Sequence, residues 1–215
     1  MTYYSQCEED KQLYQKFFSK YSLEGPKTFF EMGALDGHMY SNTKFFEDTL
    51  GWSGVLVEPN PIAFTQLCMR RPKCKLMNAL VSNTTSPVPF SVSINVPAVC
   101  SVKSTQPADF NDKYYKHSQM LHLNLIPVRL DEIFERSGVS RFDFVVIDVE
   151  GHELEVLETC TFKIPSVLWL IEFLDDAAKN AAVQAYMEKN NFKFVEKVAH
   201  NAVFIHNDYL QYFGL

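Results

Sequence analysis

Apolar positions along this chain gather into short unbroken runs, separated by stretches with helical spacing. Phe29-Phe30-Glu31-Met32, Gly54-Val55-Leu56-Val57, Phe144-Val145-Val146-Ile147 and Val167-Leu168-Trp169-Leu170-Ile171 are too continuous for one-sided strands and too short for helices. Strands of this kind are covered on both faces, as in a parallel sheet with helices above and below. Between the first two runs, Thr43, Phe46 and Leu50 share one face of a predicted helix over 41–50 that Gly51 ends, giving one βαβ unit. Ahead of it, Ser5 with Glu8 forms a capping-box pattern, and Leu13, Phe17, Phe18 and Tyr21 follow with helical spacing until Gly25-Pro26.

Farther on, Pro59-Asn60-Pro61 opens a helix carrying Ala63, Phe64, Leu67 and Cys68, and residues 75–82 read as a third strand. Residues 141–148 and 166–173 give the fourth and fifth strands, with helices ending near Gly138, over 153–160 and over 176–190. A closing antiparallel pair is predicted over 192–198 and 202–206, with His200-Asn201 between its strands. From 83 to 127 the pattern loosens into proline, serine and asparagine, with an exposed strand over 88–96 and an aromatic, histidine-rich stretch over 113–123. The expected architecture is one α/β domain over 1–215, a three-layer sandwich in which the 83–127 insertion covers the substrate. The aromatic residues Tyr209, Tyr212 and Phe213 either form an exposed contact or fold back on the core.

Composition narrows the function. A net charge of -6 without a run of Lys or Arg argues against a nucleic-acid backbone as partner and for a small neutral or cationic ligand. Five scattered cysteines without a Cys-x-x-Cys pair read as free thiols of a reducing compartment. Neither a leader nor a membrane-length apolar run is present, so a soluble, cytoplasmic protein is expected, and Asn83-Thr84-Thr85 reads as a polar turn.

The chemistry lies where the strands stop. Glu31, Glu58, Asp148 and Glu172 lie within or at the ends of the four apolar runs, so carboxylates should gather at one solvent-reachable edge of the sheet. Glu31-x-Gly33-x-x-Asp36-Gly37 supplies a glycine loop, and Glu58 stands 21 residues after Gly37, an offset at which an acid accepts both hydroxyls of a ribose. A pyrophosphate would be repelled by Asp36 and the other acids, and the glycine spacing departs from G-x-G-x-x-G. S-adenosylmethionine has no phosphate and carries a sulfonium and an ammonium group, so it suits this edge better than NAD.

In an extended strand end, Asp148 and Glu150 point the same way, and one carboxyl of such a pair has a raised pKa. They are the first candidates for a general base toward an acceptor hydroxyl, with His152 and Glu172 beside them. His152 alternatively caps its helix, and Glu172 alternatively bonds neighbouring amides. Glu153, Glu155 and Glu158 read as helix solvation, and His38 either lines the substrate mouth or is exposed. No metal is expected: His117, His122 and His206 are too far apart in sequence, although Asp148, Glu150 and Glu172 could in principle hold a divalent ion.

Glu31-Met-Gly-Ala-Leu-Asp-Gly37, Ser41-Asn42-Thr43, Gly51-Trp-Ser-Gly-Val-Leu-Val-Glu-Pro-Asn60, Leu130-Asp131-Glu132 and Asp148-Val-Glu-Gly-His-Glu-Leu-Glu-Val-Leu157 resemble the FkbM family of S-adenosylmethionine-dependent methyltransferases. The likeness runs from about Tyr4 to His206, and Asp-x-Glu-Gly-x-Glu is its most specific part. The resemblance implies a Rossmann-like class I methyltransferase fold with a mostly parallel seven-stranded sheet, the last strand antiparallel. It further implies a cofactor whose methionine part meets Glu31, Gly33, Asp36 and Gly37, whose ribose meets Glu58 and whose adenine lies near Asn60 and Asn78-Ala79. Ala34, Ser41, Asn42, Pro59 and Asp148 complete the expected cofactor contacts. The activity implied is O-methylation of a sugar or glycan hydroxyl. A non-sugar small molecule as acceptor, or a non-catalytic binding module that keeps the fold, are the alternatives.

Overall fold

The computed structural model describes residues 1–106 and 111–215. In chain order it forms α1 (Glu9–Lys16), β1 (Thr28–Met32), α2 (Lys44–Asp48), β2 (Ser53–Val57), α3 (Pro61–Arg70), β3 (Lys75–Met77), β4 (Val88–Ser93), β5 (Ser101–Val102), β6 (Met120–Leu125), α4 (Leu130–Ser137), β7 (Phe142–Ile147), α5 (Glu153–Leu157), β8 (Ser166–Glu172), α6 (Ala177–Lys189), β9 (Phe192–Val198) and β10 (Asn201–His206). Seven strands make one sheet in the order β3-β2-β1-β7-β8-β10-β9, in which β10 alone runs against its neighbours. Among the described residues no helix is long and apolar enough to cross a membrane.

Alternation along the buried strands sends successive side chains to opposite layers. Phe30, Val145, Ile147, Trp169 and Ile171 pack with α4, α5 and α6 on one face. Phe29, Phe144, Val146, Leu168 and Leu170 pack with α1, α2 and α3 on the other. Phe213 joins that second layer, stacking its ring on Tyr21 and meeting Phe17 and Phe18 edge-on, so the aromatic end of the chain folds back on the core.

Local expectations shift where polar side chains found better partners. The Ser5–Glu8 box is not made: Glu8 adopts a left-handed φ of 59° and its side chain makes no cap, while Asp10 receives the Tyr4 amide and the Ser5 hydroxyl, both at 2.7 Å. Residues 41–43 stay outside α2 because Glu31 takes their donors. The third strand stops at Met77, where Asn78 turns its amide to the Glu58 carbonyl at 2.7 Å. Asn201 belongs to β10, paired with Glu172, so the turn before it is Ala199-His200.

The region read as an exposed strand is instead the middle of a second sheet. β4 is buried along most of its length, flanked by antiparallel β5 and β6, and Val88, Phe90, Val92 and Val102 form a small core with Leu80. The four residues 107–110 of this insertion lie outside the described residues. Its two ends meet: the Val128 amide donates to the Leu80 carbonyl at 2.9 Å, and the Ser82 amide to the Val128 carbonyl at 3.2 Å.

Candidate active site

A cavity of about 430 Å³ opens at the carboxyl ends of β1, β2, β7 and β8. Gly33, Ala34, Leu35, Ser41, Asn42, Glu58, Pro59 and Ala79 line one side, and Asp148, Glu150, His152 and Glu172 the other. The insertion closes a third side with Phe90, Val99 and Tyr114. Glu31, Glu58 and Asp148, from three different strands, therefore share one cavity.

The β1 side is built from saturated carboxylates. Glu31 is 2% exposed and accepts from Ser41 Oγ at 2.9 Å, the Asn42 amide at 2.7 Å and Thr43 Oγ1 at 2.6 Å. Burial pushes its pKa up, and Arg71 with these donors draws it back. Arg71 is wholly buried, paired with Glu47 and donating to the Gly37 carbonyl, Ser41 Oγ and Thr43 Oγ1. Glu58 is 5% exposed, one oxygen accepting from the Leu35 amide and the other from the Asn60 amide, each at 2.8 Å. Burial carries its pKa to about 7 against these two bonds. A carboxylate offers about four lone-pair directions, so each Glu58 oxygen keeps one for a ligand.

Four expected cofactor contacts stand behind the wall instead of in it. Asp36 holds the His38 and Met39 amides, both at 2.8 Å, and pairs with Arg70. Asn60 caps α3 through Ile62 and Ala63, and its amide nitrogen lies 3.5 Å from Cys100 Sγ of the insertion. Asn78 bonds the Glu58 and Pro59 carbonyls. Gly37, at φ 75°, has no room for a Cβ beside Leu67 and Arg71. Gly33 lines the cavity with its backbone, and a Cβ there would meet the Asp148 carbonyl oxygen at 1.8 Å, so its smallness also admits the end of β7.

The β7 side follows from Asp148-Val149-Glu150-Gly151-His152-Glu153. The chain is not extended here, since Glu150 has a left-handed φ of 57° and Gly151 one of 95°. Glu153, read from sequence as helix solvation, is buried and accepts from the Val149 amide at 3.2 Å and the Gly151 amide at 3.1 Å, which curls the loop. Gly151 is small because a Cβ would press on the Thr105 carbonyl of the insertion at 2.9 Å. Lys179 of α6 ties the Thr105 and Gly151 carbonyls together. The tight loop, not strand periodicity, brings Asp148 and Glu150 together, with one oxygen from each of Asp148, Glu150 and Glu172 all within 4.8 Å of one another.

Burial, then Glu153 and Glu31, lifts the Asp148 pKa to about 7. Burial, then Asp148 and Glu150, lifts that of Glu172 well above the usual range, and Glu172 also accepts the Glu150 amide at 3.2 Å. His152 does not cap α5: its Nδ1 lies 3.1 Å from Thr105 Oγ1, and burial with Lys179 nearby lowers its pKa to about 4. The ring is therefore neutral at pH 7. His38 is exposed, against the Tyr4 ring. Among the described residues three buried side-chain atoms lack a hydrogen-bond partner, Asn42 Oδ1, His152 Nε2 and Asn201 Oδ1, and all three residues line this cavity.

Sequence reasoning passed over Arg71, Thr105, Lys179 and Asn201. An arginine following a helix reads as a cation at the helix carboxyl end. Asn201 had a signal, because the alternation of β10 extends back to it from Ala202.

The model of the methyltransferase FkbM domain matches residues 31–194. Solved structures with a similar course include a methyltransferase FkbM from Methylobacillus flagellatus (12% identity, 85% of this chain and 44% of that chain covered, TM-score 0.49). The ribosomal protein L11 methylase from Lactobacillus delbrueckii is similar over 92% of this chain and 75% of its own (9% identity, TM-score 0.47). The N-terminal domain of human METTL16 in complex with SAH is similar over 92% and 67% (11% identity, TM-score 0.48). No curated protein matches the chain.

Proposed function

Because the chain belongs to the FkbM methyltransferase family, with S-adenosylmethionine as cofactor, we propose that it is an O-methyltransferase acting on a hydroxyl of a sugar or glycan. The observation that carries this reading is His152 Nε2, in a 4% exposed residue, without a partner, in the wall of the cavity; Thr105 Oγ1 donates to the Val102 carbonyl and so takes the Nδ1 proton of His152, which makes Nε2 the acceptor. A buried acceptor without a donor favours a ligand that brings O–H groups.

The residues of the β1 side fit the cofactor. Asn42 Oδ1 is buried and unpartnered there, which suits an ammonium group, and Glu58 keeps acceptor capacity suited to ribose hydroxyls. Gly33, Ala34, Ser41, Pro59 and Ala79 complete that wall, while Glu31, Asp36, Gly37, Asn60 and Asn78 hold it in shape. When bound, S-adenosylmethionine supplies an electrophilic methyl group.

On the β7 side the chain's own groups orient the acceptor and take its proton. Asp148, near 7, sits where a general base works best at neutral pH. Glu150 and Glu172 stand beside it, and neutral His152 accepts a second hydroxyl through Nε2. Several acceptors set around one cavity favour a polyhydroxylated substrate over a phenol. Mass spectrometry of methyl transfer to a panel of sugars, lipids and phenols tests the reading: methylated sugar is the expected product, and a phenol-only response would end the sugar hypothesis. Absence of calorimetric binding by the cofactor at high micromolar concentration would favour a non-catalytic module instead.

A further inference from the structure

We propose that the ends of β7, β8 and β10 form a binding site for one hard divalent cation, with Asp148, Glu150 and Glu172 as carboxylate ligands and Asn201 Oδ1 beside them. Read along the chain, Asp148, Glu150 and Glu172 could hold an ion only in principle; the case comes from what the folded chain brings together.

The first observation is geometric. One oxygen from each of the three carboxylates lies within 4.8 Å of the others. Oxygens on one Ca²⁺, each at about 2.3–2.6 Å, lie no more than about 5 Å apart, and Mg²⁺ draws them to about 4 Å. The acids already occupy the separations that a shared ion sets.

The second observation is independent of the acids. Asn201 stands directly opposite Glu172 in the β8–β10 register, so the two side chains leave the same face of the sheet, and both residues line the cavity. Asn201 is 4% exposed and its Oδ1 finds no donor. A neutral acceptor left without a donor beside a group of acids points to a missing positive charge, which none of the described residues supplies to that atom.

The charge balance agrees. Three carboxyl groups are crowded together at these strand ends, and those of Asp148 and Glu172 bond each other. Such a group reaches neutrality by holding protons or by holding a cation. Four oxygen atoms without sulfur or imidazole in the group select Mg²⁺, Mn²⁺ or Ca²⁺ over zinc or iron. What the ion would do rests on the methyl-transfer reading: with Asp148 and Glu172 ionised through it, the second Asp148 oxygen stays free to accept the hydroxyl proton, and open coordination positions can take two neighbouring hydroxyls of a sugar. Whether the ion binds does not rest on that reading.

The test is a Mn²⁺ titration of the whole chain after treatment with a chelator, followed by electron paramagnetic resonance, with Mg²⁺ and Ca²⁺ as competitors. One Mn²⁺ per chain, displaced by a competitor, is expected. Glu172→Gln and Glu150→Gln should each weaken binding about tenfold or more. Asn201→Asp should tighten it, which an amide with a merely structural role would not do. Circular dichroism and binding of the demethylated cofactor verify that each variant is folded. No bound Mn²⁺ at millimolar concentration, or binding unchanged in both glutamine variants, would overturn the site. No Mn²⁺ bound in the titration with methyl transfer intact sinks the ion and leaves the enzyme; Mn²⁺ bound with no transfer to any hydroxyl does the reverse.

Discussion

At the β1–β2 end of the cavity, Glu31 and Glu58 each accept hydrogen bonds on both oxygens, from hydroxyls and amides of the loops around them. At the β7–β8 end, Asp148 and Glu172 face each other and Glu150, and the amide of Glu150 is the donor that reaches Glu172. Both ends carry carboxylates at strand ends, yet the first pair fixes backbone and the second is crowded by acids that push its protons on. A carboxylate surrounded by donors is a building element; one surrounded by carboxylates must hold a proton or a positive ligand.

The largest effect that could break this contrast falls between the two ends. Gly33→Val puts a side chain where even a Cβ meets the Asp148 carbonyl at 1.8 Å, at a φ of 83°. The variant should lose about 3 kcal/mol or more, read by urea unfolding. Glu31→Ala comes next: three donors lose their acceptor and the buried Arg71 loses one of two nearby anions, at about 3 kcal/mol, and cofactor affinity falls with the 41–43 loop.

Glu172→Gln should move stability in the opposite direction. Measured in chelator, its Tm should rise by a few degrees because a neutral amide removes the cost of a third acid beside Asp148 and Glu150, while kcat falls about 100-fold. A drop in Tm would mean that Glu172 is scaffolding like Glu31.

The pH dependence is smaller and has a definite sign. Folded Glu58 and Asp148, both near 7, keep protons that the unfolded chain gives up at about 4. Between those values the folded state binds more protons, so stability falls as pH rises from about 4 to about 7. His152, at about 4 when folded, opposes this between about 4 and 6.5. Thermal melts in chelator should show Tm declining by a few degrees from pH 5 to pH 8, with a shallower slope in Glu58→Gln. The smallest change belongs to Lys179→Met, which unties Thr105 from Gly151. A severalfold rise in KM for the acceptor, with little change in kcat, is expected of a residue that positions the insertion.

Much of this was legible in the residues. The apolar runs of β7 and β8, buried along their length, announced a parallel sheet, and the acids closing them announced its working edge. The roles of those acids were less readable, since side-chain type does not say which amides a loop will turn toward a carboxylate. Glu153 looked like solvated helix because acids at helix starts normally are, yet the 148–152 loop needed an acceptor inside it. Arg71 gave no sign of burial. The second sheet was hidden by the prolines and serines around it, although Val88, Phe90 and Val92 alternate as a strand should.

The neck at Leu80, Ser82 and Val128 has one more consequence. A chain that departs and returns through two mutually bonded positions can be exchanged there for another of different length at small entropic cost, roughly 0.6 kcal/mol per doubling. Glu31 and Glu58, with the loops they fix, lie outside that graft. Descendants of one ancestor could thus acquire new acceptors by swapping a single cassette while the methyl-donor machinery is inherited untouched.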